Sequence, residues 1–172
     1  MDVINCIKTR RSIRSYLNQL IDEKDIDKII ESATWTPSDK NGQPWKFKII
    51  TDKGLITQIS EMSIYERWMS SASCFICVFL DKEQSYDYIK DVQSCGAAIQ
   101  NILLCAHSLG IGSCWIGEIL GKSDQVINLL NLNKNRYELM ALVTLGYKAG
   151  RTLNSGRRVD KSFLLEDGDT IG

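Results

Sequence analysis

Residues 92–110 read VQSCGAAIQNILLCAHSLG, and this stretch decides the fold class. Val92, Cys95, Ile99, Ile102, Ala106 and Leu109 recur at intervals of three and four, and Gly110 follows as a stop signal. The spacing predicts a helix over 93–109. Its middle, Ile102 to Ala106, is apolar almost all the way round, so a sheet or a partner subunit must bury it on several sides. Ser73 to Leu80 is β-branched and aromatic, as a buried strand should be. Phe47 to Ile50, Ser113 to Ile116 and Leu139 to Leu145 read as further short strands. Helices are expected at 2–10, 22–34, 53–62 and 122–131, with Asp2, Asp22 and Thr51-Asp52 as caps and Pro37 ending the second. Strands alternating with helices indicate an α/β or α+β layered domain.

The chain has 172 residues, of which 44% are hydrophobic, enough for one domain with a substantial core. No repeat, low-complexity tract or Gly/Ser linker divides it, so residues 1–172 are expected to form a single domain. Lys plus Arg and Asp plus Glu each total 21, leaving a net charge of zero. That argues against a general nucleic-acid or membrane-surface binder. The balance is uneven, however. Residues 1–16 hold Lys8, Arg10, Arg11 and Arg14 against Asp2, a local +3. Residues 146–161 hold Lys148, Arg151, Arg157, Arg158 and Lys161 against Asp160, a local +4. The first residues lack the pattern of a signal peptide, and no apolar run approaches the ~20 residues of a membrane helix. With six cysteines, this points to reduced thiols and a cytoplasmic location. The polar segment after Gly146, followed by Phe163-Leu164-Leu165, is too long for an idle loop and is expected to wrap something.

Common catalytic motifs fail here. Gly110-Ile111-Gly112 lacks the third glycine of a dinucleotide fingerprint, because Trp115 stands at that place, and no P-loop follows a strand. Cys74 and Cys77 form a CxxC inside a predicted strand, where residues three apart face opposite sides, so they read as packed small hydrophobes. His107 is the single histidine, so neither a Ser–His–Asp triad nor a multi-His metal site is easily assembled, and a hydrogen-bonded structural role suits it. With no protein-borne nucleophile or acid–base pair among these residues, no catalytic side chain and no metal are expected, and a cofactor must carry the difficult step of any reaction.

Three constellations carry chemistry. Arg10-Arg11-Ser12-Ile13-Arg14 offers forked donors and a hydroxyl suited to a phosphate. It reads equally as a helix C-terminus whose cations complement the macrodipole. Trp35 to Trp45 is a loop fixed by Pro37 and Pro44, in which Ser38, Asn41 and Gln43 could read the edge of a polar planar ring; a plain helix-to-strand connection is the alternative. Gly110 to Glu118 joins the buried helix to a strand and ends at Gly117, where a flat ligand could approach the backbone or an ordinary turn could form.

Together these pieces resemble the FMN-dependent nitroreductase family over nearly the whole chain. The carriers are Arg-Arg-Ser-x-Arg at 10–14, Pro-Ser-x-x-Asn-x-Gln-Pro-Trp at 37–45, Gly-Ala-Ala-x-Gln-Asn at 96–101 and the turn at 110–117. Leu145-Gly146-Tyr147 followed by Arg157-Arg158 completes the pattern. The resemblance implies a three-layer fold, a central mixed sheet flanked by helices, in an intertwined homodimer with an extended C-terminal tail. It implies two FMN molecules at the subunit interface and NADH or NADPH as electron donor. Arg10, Ser12 and Arg14 would hold the phosphate and the pyrimidine edge, with Arg11 lending backbone support and Arg157 and Arg158 closing from the tail. Pro37, Ser38, Asn41 and Gln43 would approach from the partner chain, and Ile116 and Gly117 would offer backbone N–H groups near N5 and O4. The implied mechanism is ping-pong, with nitroaromatics, quinones or flavins as acceptors.

Tyr65, Trp68 and Tyr86 are candidates for the acceptor pocket, with core packing as the alternative for each. The chain departs from many relatives at Lys148, where they carry proline, and at Gly156, where some carry a basic residue. The region 60–72 is short, so no long helical lid is expected. A reductive dehalogenase or flavin-consuming branch, or a flavin-binding sensor or carrier without turnover, remain rival readings.

Overall fold

The computed structural model describes residues 1–150 together with Gly156 and Arg157. Four strands, β1 (Trp45–Ile50), β2 (Cys74–Asp81), β3 (Gly112–Ile116) and β4 (Tyr137–Gly146), form one sheet in the order β1-β2-β4-β3. All three neighbouring pairs run antiparallel. The sheet of named strands is therefore antiparallel rather than mixed. Among the described residues, a parallel contact is confined to the isolated bridge between Ser12 and Ser113.

Alternation along β2 divides its side chains between two cores. Cys74, Ile76, Val78 and Leu80 face one side, where they meet α2 (Glu23–Thr34) and α5 (Tyr88–Ser108) through Ile29, Ala33, Ala98, Ile99 and Ile102. Phe75, Cys77 and Phe79 face the other, against α3 (Lys53–Glu61), α4 (Glu66–Met69) and α6 (Ser123–Leu129), which supply Ile56, Ile59, Met69, Val126 and Ile127. Three layers result. A bulge sets the phase of β4: Val78 pairs with Ala141 and Phe79 with Leu139, so Met140 is the extra residue. Leu139 consequently joins Leu142 in the second core, while Ala141, Val143 and Leu145 face the first. The CxxC cysteines lie on opposite faces as expected, and burial pushes both thiols up to about 12.

The short helix α1 (Val3–Thr9) and the helices α2 and α3 start at the expected caps. Asp2 accepts from Asn5 N at 3.0 Å, Asp22 from Lys24 N at 2.9 Å and Asp52 from Leu55 N at 2.8 Å. β1 and β4 each begin two residues before the expected start, and two helices differ further from the sequence reading. The central helix begins at Tyr88 rather than 93, because Asp87 caps it through Lys90 N at 3.1 Å. The carboxylate of Asp91 is buried there and accepts from Ser85 Oγ, Tyr86 N and Asp87 N, so a polar first turn is satisfied inside the fold. The helix expected over 122–131 divides into a 3-10 turn, Glu118–Lys122, and α6, which stops before Asn131 in the left-handed conformation (φ 54°). No described helix is long and apolar enough to cross a membrane.

One ion pair closes the far end of the sheet. Asp81 is fully buried and takes Arg136 bidentately, Nε to Oδ1 at 3.0 Å and Nη2 to Oδ2 at 2.8 Å. The guanidinium holds the Asp81 carboxyl below the usual carboxylate range. A depressed folded-state value stabilises the fold above the ordinary carboxylate pKa, and that contribution fades as pH falls through the lowered value. Asp81→Asn is expected to lower Tm by roughly 5–10 °C at pH 7. The gap from wild type should narrow in acid, as thermal melts between pH 7 and pH 3 would measure.

Candidate functional site

The arginine segment leaves α1 and is laid against the sheet edge by backbone pairing at both ends. Ile13 N donates to Ser113 O at 2.9 Å, Leu17 N to Tyr147 O at 2.8 Å and Ala149 N to Ser15 O at 2.9 Å. Tyr16 pins the middle: its hydroxyl donates to Ile13 O at 2.8 Å and shares a 2.7 Å hydrogen bond with Thr144 Oγ1. The ring is buried, and burial drives the phenol far above its ordinary pKa. Two glycines permit this approach. A Cβ at Gly112 would stand 2.9 Å from Ile13 Cγ1, and one at Gly146 would stand 2.7 Å from Tyr16 Cδ1.

The segment's cations divide between the two roles the sequence left open. Arg11 turns back on α1, Nη1 donating to Lys8 O at 2.7 Å and Arg10 O at 2.9 Å, which satisfies carbonyls at the helix end. Its buried Nε has no hydrogen-bond partner among the described residues. Arg10 instead stands in a field of positive charge. Partial burial, then Arg157, then Arg11 lower its pKa. Arg157 thus stands near enough to Arg10 to act on its charge; Arg158 lies outside the described residues.

Beneath them, burial pushes the Cys114 thiol up while Arg14, Ser12 and Arg10 oppose the shift. Those three side chains therefore gather around one residue of β3. Among the described residues, no carboxylate lies within ion-pair distance of Arg10, Arg11 or Arg14. A cavity of about 490 Å³ adjoins the segment, lined in part by Arg11, Ile13, His107, Gly112, Ser113 and Lys148. His107 Nε2 lies 2.8 Å from Thr9 Oγ1. Partial burial, then Arg10 and Arg11, hold its pKa below the ordinary value, a structural histidine as expected.

At the far end of β3, Ile116 is buried and Gly117 is exposed, with open space where a side chain would be. The corner between α3 and α4 packs against this turn. It carries Tyr65 and Trp68, whose ring centroids are 5.7 Å apart. Tyr86 does not join them within one chain, because it lies beneath Lys40 Nζ, 3.4 Å from the ring centroid. The corner is held by a hydrogen bond absent from the sequence reading, Ser63 Oγ to Glu118 Oε2 at 2.6 Å. Its partners are 55 residues apart, and no motif links them.

The proline loop is strained and braced. Lys40, Asn41 and Gln43 have φ of 49°, 55° and 48°, a left-handed region costly for side chains other than glycine. Ser38 holds the loop by accepting from Gln43 N through Oγ at 3.0 Å and from Asn41 N through its carbonyl at 3.0 Å. Asp39 pairs with Lys90 Nζ at 3.2 Å, while Pro37 is exposed. This loop is anchored near the start of α5, whereas the arginine segment meets His107 near its end. From Lys90 to His107 is about 26 Å along the helix axis. The two clusters cannot grip one ligand edge within a single chain.

The fold and site define a three-layer α/β protein with a cationic, glycine-locked edge suited to a phosphate-bearing planar group. The model of the nitroreductase family matches residues 7–66 and 57–147, and the chain belongs to that family. A protein of Archaeoglobus fulgidus provisionally named NADH dehydrogenase/NAD(P)H nitroreductase is 37% identical over 150 residues, 85% of each chain. An FMN reductase [NAD(P)H] of Bacillus subtilis is 29% identical over 174 residues, covering 91% of this chain and 70% of its own. A provisionally assigned nitroreductase of Desulfovibrio desulfuricans, solved in complex with FMN, superposes with a TM-score of 0.91 at 34% identity, covering 97% of each chain.

Proposed function

We propose that this chain is an FMN-dependent oxidoreductase. It takes electrons from NADH or NADPH and passes them to nitroaromatic, quinone or related small acceptors. The observation that carries this reading is the gathering of Arg10, Ser12 and Arg14 around Cys114, with no carboxylate within ion-pair distance of either arginine among the described residues. The ribityl phosphate of FMN is an anion suited to this cluster of donors, and the relative solved with FMN supports the choice.

Bound FMN supplies reversible two-electron chemistry, so donor and acceptor can be served in turn, in ping-pong fashion. The chain's own residues bind and orient. Arg10, Ser12, Arg14 and the tail arginines Arg157 and Arg158 hold the phosphate and pyrimidine edge. Arg11 fixes the helix end from which Arg10 projects. The open face of Gly117 admits the flat ring, and the N–H groups of Ile116 and Gly117 stabilise negative charge on it. Tyr65 and Trp68 shield the same end from water.

Pro37, Ser38, Asn41 and Gln43 of a second copy complete the site, because the loop of the same chain lies too far along α5. Tyr86, packed under Lys40, travels with that loop. The whole chain acts as one FMN-binding unit in a homodimer.

Purified protein is expected to be yellow, to bleach with NADH or NADPH under nitrogen, and to sediment as a dimer. Colourless protein that ignores added FMN overturns the reading. A flavin-bearing monomer overturns the shared site.

A further inference from the structure

Glu118 follows Gly117 directly and opens the 3-10 turn, and its carboxylate is half-buried. Ser63 Oγ donates to it at 2.6 Å, while the same oxygen accepts Tyr65 N at 3.1 Å. Ser63 is itself buried and fixed, its N–H donating to Ser60 O at 2.9 Å and its carbonyl accepting Glu66 N at 3.2 Å. Among the described residues, no Lys, Arg or His lies within 4 Å of the Glu118 carboxylate. A negative charge is thus held by a neutral hydroxyl, partly out of water and with no counter-ion among the described residues, at the turn read as the ring's edge.

We propose that Glu118, oriented by Ser63, is a positioning residue that sets the reduction potential of the bound flavin. The inference rests on the reading of Gly117 as the ring-binding turn. Hydride carries two electrons and one proton, so its transfer leaves oxidised NAD(P)⁺ and adds one net negative charge to the flavin. A fixed carboxylate beside that ring opposes the added charge and makes the reduced cofactor a stronger donor. The Ser63 bond keeps the carboxylate at the turn rather than in solvent, where water and salt would screen it.

The test uses the flavin-loaded protein and two variants. Glu118→Gln keeps the shape and the Ser63 hydrogen bond but removes the charge. Ser63→Ala keeps the charge but releases it. FMN affinity is read from quenching of flavin fluorescence, and the midpoint potential from anaerobic titration against a reference dye.

Glu118→Gln is expected to bind FMN within about threefold of wild type. It should favour reduced flavin at least tenfold more, about 30 mV for a two-electron couple. Ser63→Ala should move the potential in the same direction by less. An unchanged potential in both variants, with FMN bound, overturns the role of Glu118 and leaves the flavin reading standing. Wild-type protein that does not bind FMN overturns both.

Discussion

Arg10→Ala is expected to have opposite effects on the free and the flavin-loaded protein. Without FMN, removing Arg10 relieves repulsion from Arg157 and Arg11, the second and third causes of its lowered pKa after partial burial. Melting of the apoprotein should therefore be unchanged or slightly raised. With FMN, a charge-assisted contact to the phosphate is lost, worth about 2–3 kcal/mol and so roughly 30–150-fold in affinity. The loss should be largest at low salt, where wild-type binding is strongest. Titrating FMN fluorescence at two ionic strengths, beside melts of the apoprotein, measures both signs. A destabilised apoprotein with unaltered FMN affinity would make Arg10 a structural residue and remove it from the site.

Gly146→Ala is the second large effect, and it acts without touching a cofactor. The new Cβ would stand 2.7 Å from Tyr16 Cδ1 and 3.0 Å from its Cγ. Tyr16 has little room to yield: it is buried, and its hydroxyl is held by Ile13 O and Thr144 Oγ1. The strain must pass into the backbone of residues 10–16, at a cost of about 1–3 kcal/mol. Tm should fall by roughly 3–10 °C, and FMN affinity at least tenfold as the arginines shift. Gly121→Ala, where a Cβ meets nothing within 4 Å, is the control and should be neutral. Equal melting of the two variants would show that Tyr16 is not locked by Gly146.

Much of the layered fold was legible in the sequence because local rules decide it. Asp2, Asp22 and Asp52 are caps that work through neighbours two or three residues away. The apolar spacing of α5 identified the helix that the sheet covers. The early start at Tyr88 was not legible, because a segment as polar as 85–91 becomes helical only when the buried Asp91 collects three donors. The antiparallel sheet was also hidden, since strand direction depends on which distant segments pair. The phase of β4 depends on a bulge opposite Val78 and Phe79, which its own composition does not mark.

The candidate site shows the same division. By itself the sequence determined the supply of groups: two basic clusters at the ends of a neutral chain, a proline loop rich in amides and hydroxyls, and glycines beside a strand. Residue type and short-range spacing are written in the chain. Only the tertiary structure decided how those groups are used. It turned Arg11 back onto a helix end and brought Arg157 near Arg10. It anchored the proline loop at Lys90 and the arginine segment at His107, about 26 Å apart along α5. It also joined Ser63 to Glu118 across 55 residues. The physical reason is that electrostatics and packing act through space, and proximity between distant segments is fixed by strand pairing and close glycine contacts rather than by sequence spacing.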